Sequence, residues 1–289
     1  MRRVLTLAGA ALSMAAVALS STGAVGASSG AVNVGGQDLV APTHWVAHRN
    51  TGTASSSLNW AGYAQHAANG TFTGVTATFL VTTVNTHVSG DQYSADWVGI
   101  GGFDTAKLVQ AGIEEDNLGG TAFYQAWTEI LPKSEVPLTG LVLAPGNRVT
   151  VTVRQTATAR DKKKRWSMTV TDDTTGKSAG RVVRYTASED SVEAIHERPC
   201  LGAPCSNNLA TLAATTNQTF DPAYYTSSAP NVTAVYQPLL SPPLGATLYD
   251  IDMLGNNGIT VVATPSAADT DHIGFAVADG SNAPAAPSP

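Results

Sequence analysis

The chain has 289 residues, of which 13% are charged, about half the roughly 25% of an ordinary soluble domain, and 43% are hydrophobic. That apolar content is enough for a sizeable core and excludes a disordered chain, which combines low hydrophobicity with high net charge. A formal charge of -6 excludes a phosphate-gripping surface, and with it nucleic acid as a partner.

Arg2 and Arg3 open the chain, an apolar stretch runs from Val4 to about Leu19, and small residues end in Ala24-Val25-Gly26-Ala27. This is the layout of a secretory signal peptide over residues 1–27. A membrane anchor fits less well, because Gly9 and Ser13 interrupt a run already short for a ~30 Å bilayer core. The expectation is a secreted, extracellular protein with no membrane attachment after cleavage. Residues 28–57 are rich in Ser, Gly, Ala and Thr around the apolar island Leu39–Pro42, and read as a linker or propeptide.

From residue 58 to 279 apolar and polar residues alternate as half-buried strands require. In chain order such stretches are Phe72–Val81, Lys107–Ile113, Phe123–Ile130, Val149–Val153, Trp166–Val170, Arg181–Tyr185 and Ile259–Thr264. Turn clusters at Ala144–Asn147, Asp172–Gly176 and Gly255–Gly258 separate several of them, and no long helical period appears. The predicted fold is all-β, an antiparallel sandwich or jelly roll. Arg160 to Arg165 form a basic cluster that reads as a solvated hairpin tip. Residues 280–289 read as a flexible tail.

Cys200 and Cys205 are close in sequence, and in an oxidising compartment they are expected to close a small disulfide loop. His196 lies nearby, but a fourth ligand for a structural metal is missing, so no metal is expected. Gly176-Lys177-Ser178-Ala179-Gly180 matches a nucleophile elbow in letters only, since a strand rather than a helix follows it. Gly99-Ile100-Gly101-Gly102 lacks the third glycine and the helix of a dinucleotide loop.

What remains is a set of polar residues on predicted strands. Alternation sends Gln110 to the face opposite Val109, Ala111 and Ile113. Gln125, Trp127 and Glu129 share one face, as do Glu193 and Glu197. Such a face suits a concave surface that cradles an extended polymer, or it is an ordinary solvent-facing side.

At these residues the chain resembles the glutamic peptidase family, the eqolisins or peptidase family G1. The resemblance rests on Asn59-Trp60-Ala61-Gly62-Tyr63, Trp97 to Gly102, Leu108 to Ile113, Tyr124 to Glu129 and Glu193 to Glu197, in that order over roughly residues 58 to 278. Family members usually carry an aromatic residue where this chain has Ala194, and the fungal enzymes have Asp at the positions of Gly101 and Gln125. The resemblance implies a concanavalin-like double-sheet sandwich and a catalytic pair of Gln110 and Glu193, with Trp60, Trp97, Trp127 and Glu129 in the substrate site. It also implies a monomeric acid endopeptidase acting on polypeptides without a cofactor.

Peptide hydrolysis without metal or nucleophile needs a base for water and a donor for the oxyanion. Glu193 takes the first role and Gln110 the second in this reading. A base near its unperturbed pKa of ~4.3 favours an acid working range. Two other functions stay open on the residues alone: a lectin-like carbohydrate binder, and a glycosidase with two carboxylates ~5–10 Å apart.

Overall fold

The computed structural model describes residues 33–34, 37–38, 54–156, 164–202, 205, 208–229 and 232–289. The predicted signal peptide, most of the predicted linker and most of the Arg160–Arg165 cluster lie outside the described residues. No helix among the described residues is long and apolar enough to cross a membrane.

In chain order the strands are β1 (Asn33–Val34), β2 (Gln37–Asp38), β3 (Ala54–Ser57), β4 (Trp60–His66), β5 (Gly74–Leu80), β6 (Ala95–Ile100), β7 (Val109–Leu118), β8 (Thr121–Ile130) and β9 (Val136–Pro137). There follow β10 (Arg148–Gln155), β11 (Lys164–Asp172), β12 (Lys177–Tyr185), β13 (Ser191–Glu197), β14 (Gln218–Thr226), β15 (Gln237–Pro238), β16 (Thr247–Leu254), β17 (Val261–Pro265) and β18 (Phe275–Asp279). The all-β expectation holds. Apart from the β1–β2 hairpin, the strands form one sheet in the order β12-β11-β10-β5-β14-β18-β17-β16-β4-β13-β6-β7-β8-β9, with β15 beside β14 and β3 beside β16.

This sheet doubles over on itself. Strands β5, β10 and β11 of one layer pack across β6, β7 and β13 of the other. Alternation supplies the filling: Val149, Val151 and Val153 of β10 and Trp166, Met168 and Val170 of β11 are fully buried. They meet Val98, Ile100, Ala111, Ile113, Val192 and Ala194 from the second layer in one apolar cluster. On the outer side of β10, β5 and β11, threonines pair across strands instead, with Thr76–Thr152 and Thr78–Thr150 hydroxyl contacts of 2.8 Å.

Several expectations shift. The linker expected to run to residue 57 joins the sheet at β3, which pairs in parallel with β16 from Ala54↔Asp250 to Ser57↔Met253. Backbone pairing, not side-chain hydrophobicity, recruits this serine run, so composition hid it. The predicted strand ending at Ile113 continues to Leu118 through three consecutive acids, Glu114, Glu115 and Asp116. The tail carries no strand, yet it folds back on the turn at Gly274, where an added Cβ would lie 2.9 Å from Pro287 Cγ. Ser178 of the elbow-like pentapeptide sits in β12 with its hydroxyl 3.0 Å from that of Thr171, on a hairpin and not before a helix.

At Gly112, β7 lies against β6 with no room for a side chain. A Cβ there would stand 2.5 Å from Trp97 Cβ and would also meet the Asp96 carbonyl, well inside contact distance. Gly112→Ala should therefore lower stability by at least ~1–3 kcal/mol, the usual cost of overpacking. Denaturant melts of the two proteins check this; equal midpoints would show that β6 yields freely.

Candidate active site

Strand register places the predicted site residues on one lattice. Across the second layer, one rung of paired residues reads Tyr249, Ala64, Glu193, Gly99, Gln110 and Glu129. The next reads Ile251, Gly62, Ile195, Trp97, Gly112, Trp127 and Pro137. A third reads Trp60, Glu197, Ala95, Glu114 and Gln125. Partners across a ladder share a face, and so do alternate residues along a strand. Gln110, Glu193, Trp60, Trp97, Trp127 and Glu129, the six predicted site residues besides the two cysteines, therefore lie together with Glu197 on the face turned away from the main core, where Trp60, Trp97, Leu108, Trp127, Leu131 and Ile195 form a second apolar cluster.

Gln110 and Glu193 are not on adjacent strands. Gly99 pairs with both, so their backbones stand two strand spacings apart, ~10 Å. Gly99 carries no side chain, and the space over it is filled by Leu108 Cδ1 and the Trp97 ring edge, 2.8 and 2.9 Å from a Cβ built there. Gln110 Nε2 donates to Glu129 Oε2 at 2.6 Å, which fixes the amide plane and leaves its second N–H for another acceptor. Both Glu193 oxygens and Gln110 Oε1 are buried without a hydrogen-bond partner. The face expected to be open to solvent is closed: Gln110 and Glu193 are 0% exposed, Trp60 and Trp127 3%.

Burial therefore pushes the Glu193 carboxyl well above the ordinary carboxylate range, with the Ser191 hydroxyl opposing the shift and Asp190 adding to it. This corrects the expectation of a base near its unperturbed value: among the described residues no cation offsets the desolvation.

The sequence reading missed the acids around the pair. Beyond Gln110 on the same face, burial together with Glu135 and Asp116 pushes Glu114 up, and burial pushes Glu135 up to about 7. On the opposite face of β7, Glu115 Oε1 accepts from Thr82 N at 2.5 Å, and burial next to Asp96 raises that carboxyl as well. Asp96 in turn meets His196 Nδ1 at 2.8 Å. Burial opposes both charges of this pair, yet mutual attraction holds Asp96 below and His196 above its ordinary value. His196 is thus engaged with Asp96, and Cys200 and Cys205 form a disulfide with Cα atoms 5.3 Å apart. Among the described residues no group of His, Cys, Asp and Glu is arranged to hold a metal ion. A run of three acids in a sequence signals a solvated turn; only register shows that two of them face one way and one the other.

The sequence profile of the Peptidase A4 family matches residues 58–273. Among solved structures, the fold is similar to scytalido-glutamic peptidase with a transition state analog inhibitor, at 20% identity and a TM-score of 0.58 over 76% of this chain and 98% of that one. A second structure of that enzyme, with a peptide-based transition state analog, aligns at 21% identity, a TM-score of 0.58 and the same coverage of 76% and 98%. SCP-B, a member of the eqolisin family in complex with the tripeptide Ala-Ile-His, aligns at 19% identity and a TM-score of 0.50 over 76% of this chain and 98% of that one. At these identities the likeness concerns the fold. Among curated proteins no sequence matches.

The buried carboxyls make stability depend on pH with a definite sign. Glu114, Glu115, Glu135, Glu193 and Glu197 keep protons in the folded state that the unfolded chain releases above 4.5. Their contribution is complete below that value and is lost as pH rises through the folded values, about 7 for Glu135 and about 8 for Glu197. His196 acts in the same direction above 6.5, whereas the depressed Asp96 withdraws support only on acidification below 3.8. Melting temperature should therefore peak in mild acid and fall steadily toward pH ~8. A scan by calorimetry checks it, and a maximum at or above neutrality would contradict the assignment.

Proposed function

This chain belongs to the Peptidase A4 family, the glutamic peptidases or eqolisins, and from that premise we propose a secreted acid endopeptidase that cleaves polypeptides with a Gln110–Glu193 pair. The carrying observation is the rung itself: a buried, uncommitted carboxyl and an amide oriented by a third residue flank a glycine. Glu193 as carboxylate takes a proton from water as the water attacks the scissile carbonyl, and then gives that proton to the leaving nitrogen. Gln110 donates its free amide N–H to the tetrahedral oxygen, an electrostatic stabilisation that grows only as charge develops there. Glu129 keeps the amide turned, so little reorganisation is needed at the moment of reaction. Trp60, Trp97 and Trp127 supply apolar walls that limit water and align the peptide.

The working range follows from two sets of acids. Glu193 must ionise before it can act, which sets the lower limit. The raised carboxyls of Glu114, Glu115 and Glu135 lose their protons as pH rises, which weakens the fold and sets the upper limit. Activity is thereby confined to the acid side of neutrality. Export is supported by the basic and apolar start of the chain and by the Cys200–Cys205 bridge, which persists in oxidising compartments.

A glycosidase fits the geometry less well. The carboxylates of Glu193 and Glu129 arise three strand spacings apart, ~14 Å at the backbone. Glu129 is moreover tied to Gln110, whereas an acid–base pair flanking a glycosidic bond leaves both groups to the sugar.

Purified protein should digest a denatured protein substrate at pH values above the ordinary carboxylate range of ~4.3 and up to about 7, where Glu135 loses its proton, and leave a panel of glycans untouched. Glu193→Gln, nearly isosteric, should fold and lose almost all turnover. Gln110→Ala should raise the barrier by roughly 2.7–4 kcal/mol, the cost of one oxyanion donor. If either variant cleaves like the unaltered enzyme, the pair has been misassigned; cleavage of glycans alone would remove the peptidase reading.

A further inference from the structure

Glu197 lies on the face of Glu193, four residues along the same strand and ~13 Å away, too far to share a water with Gln110. It is 2% exposed and both its oxygens are engaged. Oε2 accepts the indole Nε1–H of Trp97 at 2.6 Å, and Oε1 accepts Asn59 Nδ2 at 2.9 Å. The Asn59 amide cannot turn, because its Oδ1 accepts the Ser57 hydroxyl at 3.0 Å. Ser57 Oγ itself receives the backbone N–H groups of Asn59 and Trp60 at 3.2 and 3.1 Å. The carboxyl of Glu197 thus has a fixed orientation, and its second oxygen points at Trp97.

The other end of the same indole reaches the rung of Gln110 and Glu193. A Cβ built on Gly99 would lie 2.9 Å from Trp97 Cζ3, so the ring edge covers the one residue that separates the two strands bearing the pair. Around the ring, Trp60 meets it edge-on with centroids 5.1 Å apart. A leucine at position 197 would fill similar space without the desolvation cost of a buried carboxyl; what the carboxyl adds is a directional hold on an N–H group.

We infer that Glu197 is a positioning residue for peptide hydrolysis: through the Trp97 indole it sets the floor between Gln110 and Glu193. The inference rests on the reading of those two residues as the catalytic pair. Displacement of the floor alters the geometry of attack more than the binding of a long peptide, so the loss falls on kcat and not on KM.

Three variants test this, each with a melt to confirm folding. Glu197→Leu removes the acceptor and should lower kcat by about 100-fold, the order expected from ~1 Å of misplacement, with KM nearly unchanged. Trp97→Phe keeps a ring near Gly99 without the N–H and should show the same split. Glu197→Gln still offers an oxygen to the indole and should stay within about tenfold of the unaltered enzyme. In a Gln110→Ala background the Glu197→Leu loss should shrink to a few-fold, because residues acting as one unit are not additive. If Glu197→Leu does not fold, Trp97→Phe decides alone. Normal kcat in Trp97→Phe, a loss confined to KM, or full additivity with Gln110→Ala overturns the positioning role while the pair stands, provided Glu193→Gln is inactive. If Glu193→Gln cleaves normally, the pair and this inference fall together.

Discussion

Two side chains from strands that never touch can meet only if the strand between them carries nothing in the way. Gly99 leaves the strand between Glu193 and Gln110 without a side chain of its own, although Leu108 and the Trp97 ring edge pack over it, and its place is fixed by hydrogen-bond register along β13, β6 and β7. A slip of β6 by one residue would set Val98 or Ile100 between the pair and turn every apolar residue of that strand to the wrong layer. The main core therefore guards the site. Val98 and Ile100 are buried between the layers, so the same burial that stabilises the sandwich fixes which glycine faces the rung of Gln110 and Glu193.

The second determinant is the balance of charge under burial. Acidic side chains cluster on both faces of β7, with Glu114 and Asp116 on one and Glu115 on the other, and among the described residues none of the three has a lysine or arginine hydrogen-bond partner. Such groups tolerate burial as neutral acids, sharing protons with one another. Asp96 instead meets His196 in an ion pair held between the layers. One fold thus keeps the Glu193 carboxyl without a hydrogen-bond partner beside acids that differ from it only in what they touch.

Much of this was legible in the sequence, for physical reasons. Period-2 alternation in β10 and β11 is a direct record of a two-layer core. The faces of Gln110, Trp127, Glu129, Glu193 and Glu197 followed from parity alone. Closure of that face did not, because parity says which way a residue points and not what covers it. Nor did the raised proton affinity of Glu193, which arises from desolvation by residues distant in sequence. β3 was hidden because a run of serines gains its place through backbone pairing with β16, nearly two hundred residues on. The Glu197–Trp97 contact spans one hundred residues of sequence and depends on the turn of a ring, which no spacing encodes.

The strand order has a bearing on how the molecule comes into being. β4, from the start of the domain, is clasped between β13 and β16, and β14 is inserted between β5 and β18. Hardly any layer can be completed from neighbours in the chain, so contact order is high and folding is slow and concerted. The edge of the site lattice at Tyr249 and Ile251 arrives with β16, after most of the polypeptide has been made. The site lattice is therefore complete only when strands from both ends of the domain have paired.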